Sequence, residues 1–190
     1  MYALAADRHQ YTALHWRALH CFDNTRLPPR VRTWLLDEGS LTERLVAAGG
    51  DSFRVRVITQ SWARPLPDER RALAMQTHAV ALVREVELEC HDAPWVFARS
   101  ILPARSLEGA LRHLRRFGAR SLGAQLFSQR GMQREEFEIA CANLYPDELT
   151  WARRSVFHVQ QQPLLVQEVF LPACQLGSLQ SDHRTAADPA

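Results

Sequence analysis

Two charged side chains interrupt stretches of sequence that otherwise have the pattern of buried strands. Arg84 falls between Leu82 and Val86 on the apolar side of an alternating segment, and Glu168 lies within the run LLVQEVFL. Charged side chains are almost never fully buried without a partner, because an unpaired buried charge is strongly destabilising. Either Arg84 and Glu168 pair with each other, or one of them faces water at a sheet edge, or both face an internal cavity where a ligand is the partner.

In a ligand cavity, these two side chains would carry out different chemistry. An arginine binds a carboxylate through two parallel hydrogen bonds, so Arg84 would hold an anionic ligand. Burial raises the pKa of a carboxyl group, which suits Glu168 to contact a hydroxyl group or to handle a proton. Arg99 follows on a neighbouring strand among apolar residues, where it is either a second cation of the site or extends along those residues to solvent.

The elements that position these residues follow from the period of the apolar side chains. Alternation predicts strands at 53–60, 78–90, 95–102, 133–142, 154–160 and 164–171, with the last turn near Gln162-Pro163. Apolar spacing, Pro, Ser and Gly predict helices at 29–38, from Ser40 to Gly49, at 68–73, at 106–116 and at 121–127. Strands joined as hairpins, with helices in separate clusters, predict an α+β fold with a single antiparallel sheet of about six strands. Two helical hairpins result, and the first could act as a lid.

One domain accounts for most of the chain. We expect the folded domain at 15–176, an N-terminal extension at 1–14 that is partly disordered, and a flexible C-terminal tail at 177–190. No apolar run of about 18 residues and no signal-peptide stretch occurs, so neither a membrane span nor secretion is predicted. The four cysteines are far apart in the sequence, which is typical of a reducing compartment and favours the cytoplasm.

Composition and motifs exclude several classes of function. A net charge of +2 over 190 residues gives no support to nucleic-acid binding. A local excess of positive charge at Arg112, Arg115, Arg116 and Arg120 is either the solvated side of a helix or a patch that steers an anionic small molecule. The chain has no GxGxxG, GxxxxGK[ST], GxSxG or HExxH motif, and its histidines are scattered, so we expect no metal and no cofactor.

Several short motifs, taken in order, resemble those of the bacterial chorismate pyruvate-lyases, the family that begins ubiquinone synthesis. They are WLLDEGSLT at 34–42, LVREV at 82–86, PWVFARS at 94–100, SLG at 121–123, RRS at 153–155 and PLLVQEVFLP at 163–172. The resemblance runs from about residue 16 to residue 176. It implies an antiparallel sheet with two helical flaps that enclose the ligand in an internal cavity.

The resemblance also implies roles for individual residues. Arg84 would hold the ring carboxylate, and Glu168 would contact the 4-hydroxyl side. Leu41 and Leu122 would supply flap contacts to the substrate or product, largely through the backbone; position 41 is often Met in the family. The implied reaction converts chorismate to 4-hydroxybenzoate and pyruvate in the cytoplasm, without a cofactor, in a protein expected to be a monomer.

A non-enzymatic function is the alternative. Ligand-sensing domains of some bacterial transcription regulators resemble the same fold, and a fold alone does not determine function. Those regulators carry an N-terminal DNA-binding helical domain, for which residues 1–28 are too short. A degenerate, purely structural relative is a third interpretation, and the presence of both Arg84 and Glu168 argues against it.

Overall fold

A single antiparallel sheet forms the centre of the molecule. The computed structural model describes residues 8–23, 27–145 and 148–174. The strands in chain order are β1 (Arg17–Ala18), β2 (Arg54–Ala63), β3 (Ala81–Cys90), β4 (Ala93–Pro103), β5 (Gln133–Arg134), β6 (Glu138–Tyr145), β7 (Glu148–Val159) and β8 (Gln162–Phe170). They lie in the order β1-β6-β7-β8-β4-β3-β2, with β5 beside β7. Since β1 and β5 have only two residues each, the prediction of about six strands is confirmed.

The helices connect these strands and cover the sheet. The α-helices are α1 (Arg8–Thr12), α2 (Pro29–Leu35), α3 (Leu41–Gly49), α4 (Pro67–Ala72) and α5 (Leu122–Phe127), and 3₁₀ helices occur at Leu19–Cys21, Gly50–Ser52, Ala104–Leu107, Gly109–Arg116 and Pro172–Cys174. Ser40 caps α3 as its spacing predicted, because the Ser40 hydroxyl accepts a hydrogen bond from the Glu43 N–H at 3.3 Å. In the described part of the chain, no helix has the length and apolar character needed to cross a bilayer.

Two helical units cover one face of the sheet, which we call the pocket face. The first helical hairpin (residues 29–49) contains α2 and α3, and it buries Leu35 and Leu45 in one core cluster with Val86 of β3. The second helical segment (residues 104–127) contains two of the 3₁₀ helices and α5, and it buries Leu114 in a cluster with Leu82 of β3. The two helical units therefore pack on different ends of β3.

The opposite face of the sheet is covered by α1 and α4. The ring of Tyr11 in α1 lies 5.1 Å from the ring of Phe97, and both residues are buried with Leu14. Residues 8–14 thus include a short helix and two core side chains. Residues 1–7 and the tail predicted at 177–190 lie outside the described residues, so that division of the chain stays a prediction.

One local prediction was wrong, and another was displaced by two residues. The segment predicted as an α-helix at 106–116 is 3₁₀. The Ser106 hydroxyl, which was predicted to cap it, donates instead to the Pro163 carbonyl at 2.7 Å. The last hairpin turns at Gln160 and Gln161, which adopt φ values of 51° and 62°, and not at Gln162-Pro163. Two left-handed residues match the twist of a two-residue hairpin, and β7 therefore pairs with β8 from Val159 and Gln162 outward.

Candidate active site

The register of the strands places Arg84 and Glu168 on the pocket face. Arg84 of β3 lies opposite Ser100 of β4, and Ala98 of β4 lies opposite Glu168 of β8. Directly paired residues share a face, so the two charged side chains flank β4 on the same side. From the usual strand spacing and rise, their Cα atoms are roughly 12 Å apart. Arg84 and Glu168 therefore line the space above β4 from opposite sides.

Arg84 is a buried cation with spare hydrogen-bonding capacity. The residue is 3% exposed, and its Nη2 donates to the carbonyl oxygens of Gly118 at 2.9 Å and Arg120 at 3.0 Å. Its Nε is buried without a hydrogen-bond partner. Within the described ranges, no carboxylate lies at ion-pair distance from it, and burial lowers its pKa. A buried guanidinium with an unused donor is suited to receive an anion.

Glu168 has a different partner from Arg84. Arg153 lies directly across the β7–β8 hairpin from Glu168, and its Nε donates to Glu168 Oε2 at 2.6 Å. The Glu168 side chain is 15% exposed. The two residues singled out by the sequence therefore neither pair with each other nor face open solvent at a sheet edge.

A second arginine approaches the Glu168 side of the pocket face. Arg134 donates from Nε to the Ser155 hydroxyl at 3.2 Å and from Nη1 to the Glu38 carbonyl at 3.3 Å. Burial and the positive charge of Arg153 lower the pKa of Arg134 to about 10. In the part of the chain that the structure describes, no group of three or more His, Cys, Asp or Glu side chains could hold a metal ion.

A narrow pocket of about 30 Å³ separates Arg84 from Glu168. Its lining comes from β2, β3, β4, β8 and both helical units, and consists of Thr42, Val55, Arg84, Val86, Leu88, Ala98, Ser100, Arg120, Ser121, Leu122, Gly123, Val166 and Glu168. A space of this size holds about one or two water molecules. The structure thus brings Arg84, Leu122 and Glu168 to one pocket, but it does not show an internal cavity of the size of an aromatic acid. The hydrogen bonds from Arg84 to the carbonyls of Gly118 and Arg120 hold the second helical segment against the sheet and narrow the space.

The two helical units meet above this pocket. The hydroxyl oxygens of Thr42 and Ser121 are 2.5 Å apart, and Ser121 also caps α5 by accepting the Ala124 N–H at 3.2 Å. Leu122, the first residue of α5, lines the pocket. Leu41, the first residue of α3, is buried in the core beside it and is not among the lining residues, whereas its neighbour Thr42 is.

Arg99 does not join this site, which corrects the interpretation of it as a second pocket cation. It lies one residue away from Ala98 and Ser100, so its side chain points to the opposite face of the sheet. There it donates to Glu69 at 2.7 Å and to Glu85 at 2.5 Å. Glu69 is fully buried, and Arg99 therefore serves as its counter-ion.

Two arginines near the pocket were not assigned as site residues from the sequence. Arg120 lines the pocket, and its guanidinium lies 4.6 Å from the ring of Phe117; the sequence showed it only as part of a basic stretch. Arg153 was visible only within the RRS motif. Had the hairpin been centred on Gln160-Gln161, its register would have placed Arg153 opposite Glu168.

Comparison with known proteins gives a family match, sequence relatives and similar solved structures. The family model described as "Chorismate lyase" matches residues 14–178. A protein of Methylococcus capsulatus named "Probable chorismate pyruvate-lyase" is 44% identical over 157 residues, which cover 75% of this chain and 95% of that protein. The crystal structure of PhnF from Mycobacterium smegmatis is similar with a TM-score of 0.52 at 18% identity, over 71% of this chain and 64% of that one. A GntR-family transcriptional regulator from Bacillus cereus has a TM-score of 0.48 at 9% identity, over 65% of this chain and 94% of that one. The likeness to PhnF shows the fold alone.

Proposed function

The chain belongs to the chorismate lyase family, and we propose that it converts chorismate to 4-hydroxybenzoate and pyruvate at the pocket between Arg84 and Glu168. The observation that carries this assignment of the site is the state of Arg84. A guanidinium that is 3% exposed, has an unpartnered Nε and lies across a pocket from a carboxylate is suited to the ring carboxylate of the substrate.

The reaction requires little chemistry from the protein. Chorismate loses a proton from C4 and its enolpyruvyl oxygen from C3, the ring becomes aromatic, and the released enolpyruvate takes up a proton to give pyruvate. No electrons are gained or lost, so the step needs no redox partner. The protein must hold one reactive conformer and exclude water.

Each pocket residue then has a defined task. Arg84 binds the ring carboxylate through Nε and Nη2, and Glu168 contacts the 4-hydroxyl side, where a carboxylate can accept a hydrogen bond or exchange a proton. Leu122 and Thr42 line the pocket from the two helical units and would contact the ring. Leu41, the first residue of α3, is buried in the core cluster and would hold that end of the helix in place. Arg120 lies at the same pocket and supplies further positive charge for a substrate with two carboxylates.

Binding requires the helical units to move. The pocket of about 30 Å³ is too small for the ring, and the carbonyls of Gly118 and Arg120 occupy the Arg84 Nη2 donor. The ligand carboxylate would replace these carbonyls, and the second helical segment and the first helical hairpin would act as flaps that open and close. Flaps that close over the ligand would also slow the release of product.

We also infer that the reaction takes place in the cytoplasm and in a monomer. Cys21, Cys90 and Cys141 are free thiols, which fits a reducing compartment. Both residues assigned to the chemistry come from one chain, so the proposed site is built without a second copy.

The direct test is to incubate the purified protein with chorismate and to follow pyruvate with a coupled lactate dehydrogenase assay. We expect pyruvate and 4-hydroxybenzoate in equal amounts. A sensor domain of the same fold would bind the ligand and release no pyruvate, and that outcome would reject the proposal.

A further inference from the structure

Arg153 links the reactive carboxylate to the segment that precedes α3. Resting on the proposed function, we propose that Arg153 is a positioning residue that makes the placement of Glu168 depend on closure of the first helical hairpin. One guanidinium contacts both: its Nε donates to Glu168 Oε2 at 2.6 Å, and its Nη1 donates to the Asp37 carbonyl at 2.8 Å.

The contacts to the first helical hairpin are made where α2 ends. Arg153 Nη1 also donates to the carbonyl oxygens of Trp34 at 3.0 Å and Leu35 at 3.2 Å. The last carbonyl groups of a helix accept no hydrogen bond from within the helix, and the negative end of the helix dipole lies at them. A buried cation at this position therefore holds the end of α2 against β7, and Arg153 is only 1% exposed.

The segment from Asp37 to Leu41 is itself ordered by ionic contacts. Asp37 Oδ1 accepts the Gly39 N–H at 2.8 Å, and Asp37 Oδ2 accepts from Arg44 Nη1 at 2.7 Å. Burial alone would raise the pKa of Asp37, but these two bonds and the positive charges of Arg44 and Arg153 together hold the pKa below its ordinary value. The segment leads directly into Leu41 and Thr42, so the position of its backbone sets the position of the pocket end of α3.

The consequence is a mechanical link between closure and chemistry. When the hairpin moves away from β7, Arg153 Nη1 loses its carbonyl acceptors, and a guanidinium that is buried without acceptors is strongly destabilised. The side chain must then shift towards new acceptors, and Glu168 loses its fixed partner. Glu168 is therefore held in its reactive orientation when the hairpin is closed and is released when it opens.

The first test replaces Arg153 by lysine, which keeps the charge but cannot bind Glu168 and the carbonyls together. We expect Arg153→Lys to lower kcat at least about tenfold, while the KM for chorismate changes by less than about threefold. In a Glu168→Gln background the same substitution should have little further effect on kcat, because the two residues act as one unit. Full additivity of the two substitutions would overturn the proposal.

The control is Arg154→Lys. Arg154 is the next residue on β7, is similarly buried at 5% exposed, and is bound to Glu138 at 2.7 Å and Asp68 at 2.6 Å, but it points to the opposite face. We expect its kcat to stay within about twofold of the wild-type value. An equal loss of kcat in both variants would mean that any buried arginine of β7 is needed merely for the fold, and would overturn the proposal.

The second test does not depend on an Arg153 variant that folds. Coupling between two sites is reciprocal. Replacing Glu168 weakens its bond to Arg153, and this must loosen the contacts of Arg153 with the first helical hairpin. We expect Glu168→Gln to speed amide hydrogen exchange in residues 36–42 by about tenfold, with no change in β2 as an internal reference. Unchanged exchange in residues 36–42 would overturn the coupling. Hydrogen exchange is measured without turnover, so it tests the coupling separately from the proposed function. The proposed function is rejected by a different result, namely that the wild-type protein releases no pyruvate from chorismate.

Discussion

The hydroxyl groups of Thr42 and Ser121 lie 2.5 Å apart and join the first turns of α3 and α5 directly above the pocket. The backbone approaches closely at the same point, since a Cβ atom on Gly123 would lie 2.9 Å from Thr42 Oγ1. This contact closes the two helical units over the space between Arg84 and Glu168, so it is a natural place to test whether closure retains the product.

Replacing Gly123 by alanine should force the two helices apart. Overpacking of this kind costs about 1–3 kcal/mol, and we expect dissociation of 4-hydroxybenzoate to become about tenfold faster. Stopped-flow displacement of bound 4-hydroxybenzoate measures the rate.

The double variant Gly123→Ala, Thr42→Ala removes the clashing oxygen but also the hydrogen bond to Ser121. Without the clash, the double variant should release 4-hydroxybenzoate more slowly than the product of the two single effects predicts. If the effects of Gly123→Ala and Thr42→Ala simply multiply, this contact is not the one that retains product.

Arg84 should determine how the carboxylate of the ligand is recognised. Arg84→Lys keeps the charge but loses the paired donors, and we expect 4-hydroxybenzoate to bind at least about tenfold more weakly by isothermal titration calorimetry. Arg84→Ala should abolish turnover, mainly through lost binding. The neutral analogue 4-hydroxybenzamide serves as the control ligand: its affinity should change much less in Arg84→Lys. Normal kinetics in Arg84→Ala would remove the assignment.

The contribution of Asp37 to stability should depend on pH in a defined direction. Its pKa is held below the ordinary value in the folded protein, so the unfolded state binds more protons as the pH falls. The stabilisation is fully present above the unfolded pKa and is lost as the pH falls through the folded pKa. Comparing urea unfolding of the wild type with Asp37→Asn should therefore show a difference in the free energy of unfolding that is largest near neutral pH and shrinks below about pH 4. A difference that does not vary with pH would contradict this role.

Glu69 should be essential for stability and not for chemistry. It is fully buried on the face opposite the pocket and binds Arg99 at 2.7 Å, Gln167 at 2.8 Å and the Leu66 N–H at 2.8 Å. Glu69→Ala leaves Arg99 with Glu85 as its remaining carboxylate and takes the acceptor away from the Gln167 amide and the Leu66 N–H, so it should lower the free energy of unfolding by about 3–5 kcal/mol. Glu136→Ala is the control, because its exposed contact with His20 should contribute less than about 1 kcal/mol. Equal unfolding free energies for the two variants would show that burial of the Glu69 pair has no special effect.

Much of the sheet could be predicted from alternation alone. The apolar period of β3 located Arg84 on a covered face, and the PLLVQEVFLP run located Glu168 on β8, because side-chain direction in a strand follows directly from sequence spacing. Pairing partners were harder to predict. The turn at Gln160-Gln161 contains no glycine or asparagine, so the usual signal of a left-handed hairpin turn is absent, and Arg153 was not placed beside Glu168.

The position of Arg99 shows the limit of strand patterns more clearly. Both faces of β4 are covered, one by the first helical hairpin and the other by α1 and α4, so apolar neighbours occur on each side and do not tell which face holds the pocket. Its counter-ion, Glu69, comes from a short helix 30 residues away in the sequence. Partners of this kind depend on tertiary packing, which neither periodicity nor motif spacing contains.

The most direct test of the central claim compares two carboxylates of equal burial. Glu168 and Glu85 are both 15% exposed in their side chains, and each is bound to a strand arginine, but only Glu168 lies on the pocket face. Pyruvate release from chorismate should fall at least about a hundredfold in Glu168→Gln and stay within about threefold of the wild type in Glu85→Gln, with both variants folded by circular dichroism. Wild-type pyruvate release from Glu168→Gln, or equal losses in the two variants, would contradict the account.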